Sequence, residues 1–204
     1  MNTAAWLSLL LMLVFGCRGP IDKGRTKGQQ KQIVILQPLH SFSAKTLVYL
    51  KDSIEQFYPV KVIVAPIKEF PVNVYYKPRN RYRADSTIKW LKQIVPDSVR
   101  LIVGITDEDI STSKGLYKDY GVMGLGYRPG KACVVSTVRL RKSATSAQQL
   151  QLRIFKVVVH EMGHNFGLPH CPDQSCIMVD AEGKMKLDDE KGLCTDCKRK
   201  ISFK

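Results

Sequence analysis

Three histidines at a fixed spacing constrain this chain more than any other feature of its sequence. His160, His164 and His170 lie in the stretch HEMGHNFGLPH, which follows the apolar segment 154–159. Residues four apart lie on one face of a helix, so His160 and His164 can both reach one metal ion. Gly167 can end that helix in a left-handed conformation, after which the chain can return His170 as a third ligand. The spacing therefore predicts a zinc ion held by three histidines, with a fourth position open to water.

Glu161 directly follows the first of these histidines and lies at the edge of the same helix face. From there its carboxylate can reach a metal-bound water without itself binding the metal, so we predict that it is the catalytic general base. The alternative is three histidines that bind no metal, and the matched spacing disfavours it. The remaining histidine, His40, stands alone after Pro38, and we interpret it as a structural residue.

A second cluster of metal-binding side chains begins at the residue after the third histidine. Cys171, Cys176, Cys194 and Cys197 form the pattern C-x4-C followed by C-x2-C. Four thiolates at these spacings suit a closed, tetrahedral structural zinc site, so the sequence predicts two zinc ions in all. The alternative is disulfides, within each pair or crossed, which an oxidising compartment would favour. Cys133 is predicted to be a buried strand residue without a ligand role.

The histidine motif followed at once by four cysteines resembles the archaemetzincins, a family of metzincin-type zinc metallopeptidases. The segments 37–39, 79–82, 104–109 and 136–140 also look like landmarks of that family, so the resemblance covers most of 32–197. The residues that carry it are His160, Glu161, His164, Gly167, His170, Cys171, Cys176, Met178, Cys194 and Cys197.

The resemblance implies an α/β (α+β) metzincin-like zinc protease domain. In such a domain a mixed sheet packs on the active-site helix, and the four-cysteine zinc site belongs to the C-terminal part. By resemblance Met178 would form the Met-turn, a hydrophobic floor beneath the catalytic zinc, whereas the residue alone also fits an ordinary core methionine. No tyrosine follows Tyr127, so the tyrosine ligand that some other metzincins place after the Met-turn is missing here.

Hydrophobic periodicity in the body of the chain predicts strands and helices in alternation, which favours a mixed sheet with helices packed on it. A first helix can be capped by Ser41 or Ser43, and a second by Asp85 or Ser86. Arg128-Pro129-Gly130 suggests a hairpin turn. The predicted elements are strands at 32–36, 60–65 and 98–105, hairpin strands at 121–127 and 131–137, an irregular loop at 71–83, and a long helix at 146–166.

The first seventeen residues have the length and apolar run of a signal peptide, and they end at Cys17 in a lipobox-like sequence. We therefore predict an exported lipoprotein of the cell envelope, anchored in a membrane by lipid on Cys17. Residues 18–31 are predicted to be a flexible basic tether, and 32–204 the peptidase domain. The alternative is an N-terminal core helix, which would leave the protein in the cytoplasm.

The chain carries 32 lysines and arginines against 18 acidic residues, a formal net charge of +14. The excess is concentrated in segments such as 18–31, 77–83 and 198–204, and no nucleic-acid-binding motif accompanies it. We interpret these segments as solvated basic surface and expect no nucleic-acid partner. The tether would lie against anionic lipid headgroups. We expect a monomer whose partner is a peptide or protein substrate.

These residues together predict a zinc-dependent metallopeptidase that uses a metal-activated water. The competing hypothesis is a membrane-anchored zinc-binding protein with little or no turnover, and the intact Glu161 argues against it. An extended substrate is expected to pair with an edge strand, either 121–127 or 131–137. The basic stretch 128–142 would then border the cleft and favour acidic peptides.

Overall fold

The computed structural model of the chain describes residues 31–181, 187–201 and 203. The predicted signal peptide and nearly all of the predicted tether lie outside the described residues. Within those ranges, no helix is long and apolar enough to cross a membrane. The elements in chain order are β1 Gln32–Leu39, α1 Ala44–Phe57, β2 Val60–Val64, β3 Tyr75–Tyr76, β4 Arg81–Arg83, α2 Ala84–Ile94, β5 Leu101–Thr106, β6 Ile110–Lys114, β7 Tyr117–Val122, β8 Gly124–Gly126, β9 Ala132–Ser136, α3 Val138–Arg141, α4 Ala147–Asn165 and α5 Thr195–Lys200.

The main sheet has five strands in the order β2-β1-β5-β9-β8. The first four are parallel, and β8 joins β9 in antiparallel orientation, with Leu125 opposite Val134. The central strands β5 and β9 are buried on both faces and therefore read as continuous apolar runs, whereas the edge strand β2 alternates buried and exposed residues. The sheet is mixed, as predicted.

Helices cover both faces of this sheet. Successive residues of β5 point to opposite sides, so Leu101 and Val103 join one core cluster and Ile102 joins the other. The first cluster contains the buried faces of α1 and α4, and the second contains that of α2. The histidine-bearing helix α4 is therefore packed directly against the sheet.

A second, smaller sheet has the order β3-β4-β6-β7 and was not predicted. The segment 71–83, expected to be an irregular loop, contains β3 and β4. The predicted strand 121–127 is also wrong as a single element, because its first two residues belong to β7 and only 124–126 form β8. Ion pairs hold this sheet together: Arg81 lies 2.7 Å from Asp109 and 3.1 Å from Asp119. Charged contacts of this kind leave no hydrophobic periodicity in the sequence.

Of the two helix caps that the sequence predicted, the one at α1 is confirmed and the one at α2 is wrong. Ser43 accepts a hydrogen bond from the Thr46 N–H at the start of α1, and Ser146 accepts one from Gln149 at the start of α4. The prediction for α2 is wrong, because its N-cap is Arg83 and no side chain caps it. Asp85 lies in its first turn instead and pairs with the Arg83 guanidinium.

Candidate metal centres

The three predicted histidines converge at the C-terminal end of α4. One ring nitrogen from each of His160, His164 and His170 lies within 4.8 Å of the other two, and Nε2 of His164 is 3.2 Å from Nε2 of His170. The opposite nitrogens are held by oxygens. Nδ1 of His160 is 2.6 Å from the Ile177 carbonyl, and Nδ1 of His164 is 2.8 Å from the Leu168 carbonyl. A ring whose Nδ1 donates to a carbonyl keeps a free lone pair on Nε2, as a metal ligand requires.

The environment also favours the neutral form of the two imidazoles on α4. Burial first, and the neighbouring His164 second, lower the pKa of His160 to about 4. Burial likewise lowers the pKa of His164. Neutral nitrogen donors at short mutual distances fit a zinc ion, whose ligands must be unprotonated.

The turn after α4 returns the chain as the sequence predicted. Gly167 has φ +99°, a left-handed conformation that side chains rarely adopt. Leu168 then donates its N–H to the Gly163 carbonyl at 2.9 Å, and its own carbonyl receives the His164 ring. Met178 is fully buried beneath the same turn. A Cβ at Gly163 would lie 2.5 Å from the Met178 sulfur, so only glycine allows this close packing.

Glu161 lies beside the histidines, between α4 and the edge strand β8. The residue is 8% exposed, and it lines a cleft of ≈ 930 Å³ together with the three histidines. Burial raises the pKa of its carboxyl to about 8, and a hydrogen bond from the Gly126 backbone acts in the opposite direction. A Cβ at Gly124 would lie 2.7 Å from the Glu161 Oε1. The glycines of β8 therefore leave the space that the carboxylate occupies.

The four predicted cysteines form a separate, mostly buried cluster, and all of them are free thiols. Their sulfur atoms lie within 4.8 Å of one another. The Sγ atoms of Cys171 and Cys194 are 3.7 Å apart, as are those of Cys176 and Cys197. Four sulfurs at about 2.3 Å from a tetrahedral zinc would be about 3.8 Å apart. A disulfide requires about 2.0 Å, so the geometry fits the metal.

One short segment connects the two clusters. Cys171 follows His170 directly, and its N–H donates to the Met178 carbonyl at 2.8 Å. The isolated bridge Cys171–Val179 closes this segment on itself, and the bridge Cys176–Gly192 ties it to the chain that leads to Cys194. The cysteine cluster thereby holds both the third histidine and the residue beneath the histidine site.

Comparison with known proteins decides the family. The model of "Peptidase family M54" matches residues 47–202. The archaemetzincin of Halobacterium salinarum is 31% identical over 176 residues, which cover 82% of this chain and 98% of that protein. The chain belongs to peptidase family M54. It is a zinc metallopeptidase, and the predicted archaemetzincin resemblance is confirmed.

Solved structures of M54 proteins share the fold. The crystal structure of archaemetzincin from Archaeoglobus fulgidus, complexed with malonate, has a TM-score of 0.71 and 26% identity, covering 83% of this chain and all of that one. The archaemetzincin from Methanopyrus kandleri also has a TM-score of 0.71, at 24% identity, with 85% and 95% of the two chains covered. The predicted fold class is confirmed.

Several residues of this M54 site were not found from the sequence. Asp180 places its Oδ2 3.4 Å from Nδ1 of His170, so each of the three rings has an oxygen beside its Nδ1. Glu190 adds a second buried carboxyl to the cleft. The glycines of β8 could have been noticed in the sequence, because a glycine in a strand often marks a place where another group approaches the backbone closely. Neither acidic residue has a spacing that relates it to the histidines.

The remaining predicted residues lie away from the metal clusters. Cys133 is fully buried in β9, as expected for a strand residue. His40 lies in the turn after β1, where its Nδ1 is 2.8 Å from Glu69. Of the two candidate edge strands, 131–137 is wrong, because β9 is paired on both sides by β5 and β8.

The basic stretch 128–142 reaches the cleft, but much of its charge is already paired. Lys131 lies 3.4 Å from Asp97, Arg139 lies 3.1 Å from Asp109, and Arg141 contacts Asp107. These ion pairs remove much of the physical reason for the predicted preference for acidic peptides, which stays a prediction.

Proposed function

We propose that this M54 peptidase cleaves peptide bonds at the three-histidine site and that Glu161 moves the proton. The observation that carries the proposal is the buried Glu161 carboxylate, which shares one cleft with three convergent imidazoles. His160, His164 and His170 would hold the zinc ion. A zinc ion bound there supplies Lewis acidity, which polarises the scissile carbonyl and lowers the pKa of a bound water to about 7.

Glu161 accepts the proton of the attacking water and then delivers it to the leaving amine. The glycines of β8 favour this role, because a side chain there would occupy the space of the carboxylate. The hydrogen bond from the Gly126 backbone keeps the carboxylate oriented between the strand and the helix.

The substrate binds in extended form along β8. Among the described strands of the main sheet, β8 lies at the edge and pairs only with β9, so its outer side offers backbone hydrogen-bonding groups. A peptide added there lies beside the Glu161 carboxylate, which contacts β8 from the helix side.

A second zinc ion is held by the four cysteines and has a structural role. The sulfur separations of 3.7 Å and the burial of Cys176 and Cys197 support a closed site. Elemental analysis of the purified domain tests this count. Two zinc ions per chain are expected. One zinc ion with four unreactive cysteines would instead indicate disulfides.

Replacement of Glu161 with Gln tests the catalytic assignment and the competing hypothesis of a zinc-binding protein without turnover. We expect the hydrolysis rate of quenched-fluorescent peptides to fall by about 10²–10⁴-fold, while the zinc content stays at the wild-type value. Glu69→Gln is the matched control, because Glu69 is exposed beside His40 and away from the cleft. Equal activity of wild type and Glu161→Gln would refute the assigned role.

We propose further that the chain is exported as a monomeric lipoprotein, with lipid on Cys17 and the basic tether against the membrane surface. The support is the apolar run that ends at Cys17 and the charge of 18–31. Mass spectrometry of the mature protein tests the anchor, which predicts an acylated N-terminal Cys17. An intact Met1 would refute it and favour the cytoplasm.

A further inference from the structure

Glu190 is a buried carboxyl in the cleft that the mechanism does not use. It is 5% exposed, and its Oε2 has no hydrogen-bond partner among the described residues. Burying a carboxylate oxygen without a partner is costly, so such groups in native proteins generally have a role that offsets the cost. Glu190 lines the same cleft as Glu161 and the histidines.

The walls next to Glu190 are apolar. Val157 precedes Glu161 by four residues on α4, so the two side chains share a face of the helix. Leu187 lies on the opposite segment, and both Val157 and Leu187 are buried and line the cleft. The cleft therefore has apolar side chains in its lining and a second buried carboxyl besides that of Glu161.

Two buried cations fix the segment that carries Glu190. Lys156 donates from Nζ to the carbonyl of Glu190 at 2.6 Å and to that of Leu187. Arg153 binds Asp188 through Nε and Nη2, at 2.9 Å and 2.6 Å. The hydrogen bonds of Lys156 to this segment thus go to main-chain oxygens, and the Glu190 carboxyl is not their acceptor. The segment is held against α4, and the Lys156 ammonium acts on the Glu190 carboxyl through its charge, without a hydrogen bond to Oε2.

We propose that Glu190 ends a subsite that takes a basic side chain, lysine or arginine, from a residue flanking the scissile bond. The inference rests on the proposed hydrolysis at the three-histidine site. The apolar walls would pack against the methylene stem, and the carboxylate would pair with the charge at its end. A charge-assisted hydrogen bond contributes about 1.5–3 kcal/mol, which corresponds to an affinity difference of about 10–100-fold.

A pair of hydroxamates tests the subsite without any turnover. Both probes anchor on zinc, one with a lysine side chain and the other with the uncharged norleucine side chain. With the zinc-loaded full chain, we expect the lysine probe to bind about 10–100-fold more tightly in calorimetry. Equal affinities, or no binding of either probe, would overturn the subsite. This comparison needs no variant, so it does not depend on a mutant that folds.

Glu190→Gln assigns the preference to this carboxyl. We expect the difference between the two probes to disappear in Glu190→Gln and to persist in Asp189→Asn, which removes the neighbouring exposed charge. A preference retained in Glu190→Gln would overturn the assignment.

Hydrolysis of matched peptides separates the subsite from the proposed function. Wild-type protein that cleaves no peptide while still discriminating the probes would refute the proposed function and leave the subsite standing. Cleavage of lysine and norleucine peptides at equal rates, together with equal probe binding, would refute the subsite and leave the proposed function standing.

Discussion

The two candidate metal clusters are adjacent in the chain and differ in their donor atoms and in their access to the cleft. The three histidines line the cleft, and the side chain of His170 is 48% exposed there, whereas the four cysteines do not line it: Cys176 and Cys197 are buried, and Cys171 and Cys194 are half-buried. An open site can admit water and substrate, while a closed site can only hold the chain together. The difference indicates that the cysteine cluster supports the histidine site, because the segment after His170 is held from the cysteine side.

The largest effect is expected from breaking the closed site. We expect Cys176→Ser to lose both zinc ions and to unfold the C-terminal part, because a structural zinc site contributes about 10–16 kcal/mol at neutral pH. His164→Ala should lose the zinc ion of the histidine site, keep the cysteine zinc, and lower the melting temperature by less than Cys176→Ser does, because α4 remains packed against the sheet without that ion. Thermal melts and zinc analysis of both variants check this. Equal melting temperatures would show that neither centre supports the other.

The second effect concerns the strand that borders the open site. Gly124→Ala places a Cβ 2.7 Å from the Glu161 Oε1, so the carboxylate must move. We expect kcat/KM to fall by about 10²-fold, since small misplacements of a catalytic group cost that much. Both zinc ions should remain, because β8 contributes none of the predicted ligands. Unchanged kcat/KM would mean that the contact with β8 does not position Glu161.

A smaller effect is expected at Asp180, which lies beside the most exposed of the three histidines. Its Oδ2 is 3.4 Å from Nδ1 of His170, and such outer carboxylates orient imidazole ligands. We expect Asp180→Asn to weaken zinc at the histidine site by about tenfold, measured by competition with a chelator. The cysteine zinc should be unaffected. An equal change at both centres would contradict a role specific to His170.

The smallest effect concerns the ion pair between Arg153 of α4 and Asp188, which lies between Cys176 and Cys194 in the chain. The hydrogen bond from Arg153 lowers the pKa of Asp188. The folded state therefore favours the ionised carboxylate. The ion pair stabilises the protein fully above the ordinary aspartate pKa of about 4. This stabilisation is lost as the pH falls through the lowered pKa of Asp188 in the folded state. We expect Asp188→Asn to lower the melting temperature at pH 7 by about 2–4 °C. We also expect the melting temperature of the variant to fall less than that of the wild type between pH 7 and pH 3. Parallel curves for variant and wild type between pH 7 and pH 3 would contradict this.

The sequence by itself predicted both candidate ligand sets, the helix that carries two histidines, and the turn at Gly167, and the fold brings each set together. These features are local, because helix geometry places residues four apart on one face whatever surrounds them. The parallel strands were also predictable, since burial on both faces leaves a continuous apolar run. The capping serine of α1 was found for the same reason, as a cap acts within one helical turn.

Only the tertiary structure decided what surrounds those ligands. Gly124 and Glu161 are far apart in the chain but lie against each other in the fold. The Ile177 carbonyl likewise reaches the His160 ring from a segment that follows α4. Ion pairs between distant segments accompany the ladders of the small sheet, and Lys156 of α4 binds the backbone carbonyl of the buried Glu190. Contacts between residues far apart in the chain leave no periodic signal. The sequence therefore predicted the metal ligands, while the fold decided which cluster lines the cleft and which carboxyls lie in it.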